Sequence, residues 1–407
     1  MNISRLIELH ELAKKEGEKF PEKRDIFSVI ANSSGRHFVG ITGPRGSGKS
    51  VLLKQLAAQD QDSFYLSMDV LGKDQDSFAL IQTLSQKFHF QRFLLDEIHF
   101  LPDSSGLLKQ LYDFLGPRVI FTSSVALAMH APAQDLSRRV ILNELRNFSF
   151  REYLRFKAKI NLPCLGLADL EKPGELAGHL RTGIYFEAFL KGGILPFALD
   201  EAEPLPLLEN ILERIIARDL PSVMRFHVDE LETIQKLVRF IGKSAVEDIN
   251  YSCLSRNLGI TKYKAEQYCQ CLQKAFVLQQ VFPAGTNVLR EPKILLSPPC
   301  RLLYREFGDA IGGLREDFFV SAIFQSGRSI SYLKSPRGAK TPDYLLNENG
   351  PWVFEVGGRG KGMRQFKDFT AERKMALADI LHPERNRTPL FLAGFLGASN
   401  TAAGLTP

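Results

Sequence analysis

Apolar and polar positions alternate between two regimes along the first third of the chain. His37-Phe-Val-Gly-Ile-Thr42 is a short apolar run of the kind that fills a parallel strand buried on both faces. A glycine-rich turn follows, and then Ser50-VLLKQLAA-Gln59, whose leucines recur at helical spacing. Phe64-Tyr-Leu-Ser-Met, Phe93-Leu-Leu-Asp96, Val119-Ile-Phe-Thr122 and Val140-Ile-Leu read as further strands, with helical patterns at Ser77-FALIQTLSQKF and Gly106-LLKQLYDFL between them. Strands alternating with helices predict an α/β fold with a parallel, doubly wound sheet.

The regime changes after residue 147. Residues 148–225 read as mostly helical and 226–283 as compact and all-helical, ending in a hairpin. Residues 284–407 return to mixed strands and helices, with glycine, proline and arginine punctuation near 334–342 and 357–362. The expected division is therefore 1–147, 148–225, 226–283 and 284–407. A chain of 407 residues with 44% hydrophobic and 24% charged residues suits several packed cores rather than a disordered or disulfide-stapled protein. Its five cysteines form no C-x-x-C pair, which argues against structural zinc and fits reduced thiols. No apolar stretch is long enough to span a bilayer, so a cytoplasmic protein is expected. The net charge of +6 permits an acidic partner such as DNA without requiring one.

Chemistry is concentrated at Gly43-Pro44-Arg45-Gly46-Ser47-Gly48-Lys49-Ser50, a complete G-x-x-x-x-G-K-[ST] between a predicted strand and a predicted helix. Glycines let backbone N–H groups close around phosphates, and the helix N-terminus adds its partial positive charge. Lys49 is expected on the β/γ-phosphates and the Ser50 hydroxyl on Mg²⁺. Asp96 and Glu97, which end an apolar strand, are expected to bind Mg²⁺ through water and to polarise the attacking water. Thr122 and Ser124 close the next strand, in reach of a γ-phosphate. Arg138 or Arg139 is a candidate arginine finger, in cis or from a neighbouring subunit. No N-K-x-D motif is present, so ATP is the expected nucleotide.

The set Ile41-TGPRGSGKSVLLKQL, Leu94-LDEIH, Ile120-FTSS and Arg139-VILNELRNFSFREYL resembles a large group of bacterial and archaeal AAA-type ATPases that carry a restriction-endonuclease-like C-terminal domain. The resemblance favours Arg139 over Arg138 and implies a helical lid, whose Gly-Gly-x-Pro turn would be Gly192-Gly-Ile-Leu-Pro196, one residue longer than the pattern. It also makes a homo-oligomer possible.

Glu230-LETIQKLVRFIGKSA, followed by Asn250-YSCLSRNLGITKYKAEQYCQCLQKAFVLQQV, reads as a winged helix-turn-helix over 226–283. Gly259 makes the turn, Thr261 caps a second helix at 262–274, and Lys262, Tyr263, Lys264 and Gln267 lie where a DNA reader places its contacts. Cys253, Cys269 and Cys271 read as small core residues. Further on, an amphipathic helix beginning at Gly313 carries Glu316. Strands near Asp343 and Glu355 complete the acid order of a PD-(D/E)-x-K nuclease, in which the acids bind a divalent metal. The motif lysine is Gly357. Residues 359–367 supply Arg359, Lys361, Arg364 and Lys367 and no acid. Lys361 could fold back to the vacant position, with Gln365 as an auxiliary polar residue; otherwise the domain is a degenerate nuclease whose basic loop binds phosphate backbone or a partner. The second is favoured, because a glycine-rich loop holds a lysine less well than a strand does. The leading expectation is a Mg²⁺-dependent ATPase acting as a switch or motor on DNA. The alternatives are an ATP-gated metal-dependent nuclease and a weakly hydrolysing signalling scaffold.

Overall fold

The computed structural model describes residues 3–71, 75–123, 138–223, 226–246, 249–285, 291–334, 341–367, 369–384 and 386–398. Ser124 lies outside them. The chain forms two compact units, one of residues 1–147 with 218–225 and one of 148–217 with 226–407. The stretch 218–225 thus belongs to the first unit while the chain on both sides of it belongs to the second.

The first unit is built on a five-stranded sheet in the order β2-β3-β4-β1-β5. Its strands are β1 (Phe38–Thr42), β2 (Ser63–Ser67), β3 (Arg92–Asp96), β4 (Arg118–Ser123) and β5 (Val140–Glu144), all paired in parallel. Helices α1 (Ile3–Glu18), α2 (Phe27–Ala31), α3 (Lys49–Gln59), α4 (Ser77–Phe88) and α5 (Ser104–Gln110) cover it. Because side chains alternate along a strand, Phe38, Phe64, Phe93, Leu95 and Phe121 face one side and pack on Leu80, Leu84, Leu107 and Leu108 of α4 and α5. Val39, Ile41, Leu94 and Ile120 face the other and pack on Leu52, Leu53 and Leu56 of α3. Both faces of β1 to β4 are covered, which is why these strands read as apolar runs rather than as alternating ones, whereas edge strand β5 leaves Ile141 and Leu142 exposed. This is the P-loop NTPase fold, with β1 and α3 joined by the glycine-rich turn.

In the second unit, residues 148–217 run through short helical turns before α6 (Pro204–Arg214) and one further turn. After 226 come α7 (Val228–Lys243), α8 (Tyr251–Leu258) and α9 (Lys262–Lys274), then the antiparallel pair β6 (Leu278–Val281) and β7 (Lys293–Leu296). Gly259 has φ 65° between α8 and α9, and the Thr261 side chain accepts from Lys264 N. Cys269 and Cys271 are buried and Cys253 half-buried, all as free thiols.

A second, mixed sheet has the order β12-β11-β10-β9-β8, made of β8 (Ser331–Tyr332), β9 (Tyr344–Asn347), β10 (Pro351–Gly357), β11 (Arg373–Ala378) and β12 (Thr388–Pro389). It packs on α10 (Phe307–Gln325) through Phe319, whose ring lies 5.3 Å from that of Phe354. This helix departs from the amphipathic one expected from Gly313. It starts at Phe307 and is buried on several sides, because Phe318 also meets Phe186 at 4.8 Å. Phe150, Phe186, Phe189, Phe391 and Phe395 continue that aromatic cluster. Residues 150–190 therefore share a core with the C-terminal sheet. Arg301 and Asp317, 1% and 0% exposed, form a two-pronged ion pair at 2.8 and 3.1 Å. Arg301 Nη1 also donates to the carbonyls of Ile241 and Ser244, tying the end of α7 to α10. Among the described residues, no helix is long and apolar enough to cross a membrane.

Candidate functional site

Lys49 opens α3 directly after Gly48, whose φ of 94° is a left-handed conformation that costs glycine little. At the other end of the loop a Cβ on Gly43 would stand 2.1 Å from the Leu145 carbonyl oxygen, so only glycine lets the chain leave β1 against β5. Pro44 and Gly46 complete the turn. Ser50 lies half-buried in the first turn of α3. Arg24 braces the loop, its guanidinium donating to the carbonyls of Ser47 at 2.6 Å and Arg146 at 2.8 Å.

The Lys49 ammonium is buried and donates to the Gly43 and Pro44 carbonyls, both at 2.9 Å. Burial lowers its pKa to about 8, against the pull of Glu97 and Asp96. Ser47 Oγ, in the same loop, is buried with no hydrogen-bond partner. A buried cation, an orphaned hydroxyl and a helix N-terminus in one turn fit a polyphosphate. Lys49 and the loop amides would hold its phosphates, and Ser50 with Asp96 would hold Mg²⁺. The metal would neutralise developing charge on the phosphates.

The acids arrive from β3. Asp96 is 2% exposed, and both of its oxygens are engaged. Tyr65 OH donates to Oδ2 at 2.7 Å, and the Thr122 hydroxyl donates to Oδ1. Thr122 Oγ1 also accepts from Glu97 N at 2.9 Å, so one hydroxyl on β4 sets both acids. That bond holds Glu97 at φ 52°, a conformation costing a non-glycine residue about 1–2 kcal/mol. Burial raises the Glu97 pKa, opposed chiefly by Lys49. His99 Nδ1 lies 3.2 Å from Glu97 Oε2. Burial holds that imidazole down at about 4, so the contact is not an ion pair at neutral pH.

Arg45 is paired with Asp219, with Nε at 2.6 Å and Nη2 at 2.9 Å from the two carboxylate oxygens. Asp219, Tyr65, His99 and Arg24 are site residues that sequence reasoning missed. Asp219 is far away in the chain, Tyr65 and Arg24 sit in no recognisable motif, and His99 ends the Leu94-LDEIH segment, where no role follows from its position alone.

Arg139 is not brought to the phosphate loop of its own chain. It immediately precedes β5, and its carbonyl accepts from Phe38 N at the start of β1, whereas the phosphate loop follows the end of that five-residue strand, about 16 Å on. Its guanidinium is bound to Asp113 at 3.0–3.2 Å.

In the second unit, Asp343 and Glu355 do come together. Asp343 precedes β9 and Glu355 lies on the central strand β10, where Val356 N donates to Asp343 Oδ2 at 2.8 Å. Lys361 Nζ is 2.5 Å from Glu355 Oε1 and 3.9 Å from Asp343 Oδ2. Burial and then Asp343 raise the Glu355 pKa to about 7. Asp343 is raised by burial and then Glu316. Lys361 stays above its ordinary range because the two acids outweigh burial. Glu316 is itself bound by Lys293 at 2.5 Å and by the Tyr344 hydroxyl, which donates to it at 2.8 Å. Among the described residues, no group of three or more His, Cys, Asp or Glu side chains is arranged to hold a metal ion.

At the start of α9, Lys262 is paired with Glu291, and Lys264 with Glu230 at 3.1 Å. Tyr263 is 67% exposed, and Gln267 Nε2 donates to its hydroxyl at 2.9 Å.

The parallel sheet, the glycine loop before a helix and the two acids after β3 have the arrangement of a P-loop nucleotide-binding domain. Residues 35–154 match the AAA domain family model, and residues 185–297 match the model of a domain of unknown function. The uncharacterized protein MJ1637 of Methanocaldococcus jannaschii is 28% identical over 419 residues, covering 92% of this chain and 87% of that protein. The ORC1 protein of Aeropyrum pernix, in its complex with DNA, aligns with 76% of this chain and 94% of its own at 10% identity and a TM-score of 0.29.

Proposed function

We propose that the protein binds ATP with Mg²⁺, hydrolyses it, and uses the cycle as a conformational switch or motor on DNA. The carrying observation is that Lys49, Asp96, Glu97 and Thr122 converge at the carboxyl ends of neighbouring strands, with Thr122 fixing both acids. Glu97 is the group to polarise the attacking water, and Lys49 the group to hold the transferred phosphate. The DNA partner is supported by α8, the Gly259 turn, α9 and the β6–β7 hairpin, read as a winged helix whose exposed Tyr263 leads α9. Arg139, placed away from its own loop, serves a neighbouring copy's nucleotide in a homo-oligomer on this reading. The test is steady-state ATP turnover with Mg²⁺, with and without double-stranded DNA. Turnover that rises with DNA and is lost in Glu97→Gln supports the proposal; undiminished turnover in Lys49→Ala sinks it. Turnover indifferent to DNA transfers the winged helix to a protein partner, as in a signalling scaffold.

A second reading is an ATP-gated, metal-dependent nuclease in the C-terminal sheet. The meeting of Asp343 and Glu355 at the central strand favours it. DNA cleavage with Mg²⁺ or Mn²⁺ that Asp343→Ala removes is its test.

A further inference from the structure

Strand β10 carries Val353, Glu355 and Gly357 on one face, because successive side-chain directions alternate. The residue at 357 therefore points the same way as Glu355, and a lysine there would reach the acids from the strand. The chain has glycine instead, and that absence is filled from elsewhere. A Cβ built on Gly357 would stand 2.4 Å from Lys361 Cγ, 3.2 Å from its Cδ and 3.1 Å from its Cε. The whole stem of Lys361 lies across the glycine, and its ammonium ends on Glu355 Oε1.

We propose that Lys361 is the catalytic lysine of a divalent-cation, phosphodiester-hydrolysing site formed with Asp343 and Glu355, and that position 357 is glycine to give Lys361 its path. This rests on the second reading above. Glu355 is 0% exposed and its Oε2 is buried with no hydrogen-bond partner. An unpaired buried carboxylate oxygen costs a few kcal/mol, and its retention points to a ligand that completes it. Two adjoining carboxylates select a cation, with oxygen ligands suited to Mg²⁺ or Mn²⁺. In the stretch that carries Lys361, Arg359, Arg364 and Lys367 are exposed. Exposed cations close in sequence to the lysine suit a polyanionic substrate.

The loop is glycine-rich but pinned, which answers the objection that it could not place a lysine. Lys361 N donates to the Gly358 carbonyl at 3.0 Å, Asp379 N to the Gly357 carbonyl at 3.0 Å, and Arg387 Nη1 to the Arg359 carbonyl at 2.9 Å. Arg315, itself locked to Asp379 at 2.7 Å, stands over Gly358.

Asp343 and Glu355 would hold the cation, which would supply Lewis-acid stabilisation of the phosphate; the role of Lys361 is to turn its ammonium from Glu355 to the phosphate and stabilise its added negative charge. A water oxygen bonds to phosphorus and the P–O ester bond breaks. The attacking water's proton passes to solvent and the departing oxygen takes one from solvent. One phosphodiester and one water yield a phosphomonoester and an alcohol.

The full-length chain is tested for Mn²⁺ binding by calorimetry and for cleavage of single- and double-stranded DNA with Mg²⁺ or Mn²⁺ and ATP. Lys361→Ala should lose at least about 100-fold in cleavage while binding Mn²⁺ several-fold more tightly, because a competing cation is gone. Gly357→Lys in the Lys361→Ala background should recover much of the cleavage by moving the lysine to the strand. Cleavage by Lys361→Ala at the wild-type rate overturns the assignment of Lys361 and leaves the nuclease reading standing. Intact DNA and no Mn²⁺ binding by the unaltered chain overturn both.

Discussion

Arg45, inside the phosphate loop, is clamped by Asp219, 174 residues later in the chain, through two hydrogen bonds of 2.6 and 2.9 Å. Both side chains are largely buried, 16% and 10% exposed. The pair docks residues 218–223 onto the first unit, although the chain enters and leaves that stretch from the second. A phosphate reaching the loop meets a guanidinium already committed to a carboxylate.

Asp219→Ala leaves a mostly buried guanidinium without its matched acceptor. The expected loss is about 1.5–3 kcal/mol in stability, read by urea unfolding. A double-mutant cycle with Arg45→Ala should show coupling; purely additive losses would show that the clamp carries no energy of its own.

Glu97→Gln keeps the shape of the site and removes the carboxylate that can polarise water. ATP turnover should fall by about 10²–10⁴-fold while nucleotide binding persists, which separates Glu97 from Lys49. A loss of binding equal to the loss of turnover would assign Glu97 to holding nucleotide.

Lys49 carries a pKa lowered to about 8 by burial. A polyanion against the ammonium favours its charged form, so the bound state holds more protons than the free one above that pH. ATP affinity should therefore decline as pH rises from about 8, with proton uptake at pH 8.5 that calorimetry in buffers of different ionisation enthalpy detects. Lys49→Arg, which stays charged, should flatten the decline.

Lys262 and Lys264 are occupied by Glu291 and Glu230. If α9 meets DNA, the double replacement by alanine lowers the slope of log affinity against log salt by about 2, one phosphate contact per lysine. Glu230→Gln with Glu291→Gln frees both ammoniums and should tighten binding. An unchanged salt slope would remove α9 from the DNA interface.

Asp317→Ala strands Arg301 in the core of the second unit and should cost about 3–5 kcal/mol. Replacing both members by apolar residues of similar volume should restore most of it. Thermal melting of the two variants distinguishes an ion pair needed for stability from one that only fixes how α7 meets α10.

Much of the first unit was legible in the sequence because its signals are local. Strands buried on both faces need continuous apolar runs, and Phe93-Leu-Leu-Asp96 and Val119-Ile-Phe-Thr122 supply them. The phosphate loop is likewise one stretch of chain, since a turn that wraps phosphates must be made of consecutive amides. The region of α8, α9 and the hairpin was legible for the same reason: Gly259 and Thr261 mark its turn and cap within three residues.

What the sequence could not decide was partnership across distance. Nothing near Arg45 signals Asp219, nothing near Asp96 signals the Tyr65 hydroxyl, and the helix around Glu316 reads as amphipathic until a second aromatic layer buries its other side. The composition of residues 357–367 allowed a lysine over the acids but favoured a loose basic loop. Only the packed structure, with Lys361 lying across Gly357 and its loop tied to Arg387 and Asp379, selects the first, because a side chain's final contacts depend on what the rest of the fold leaves it room to reach.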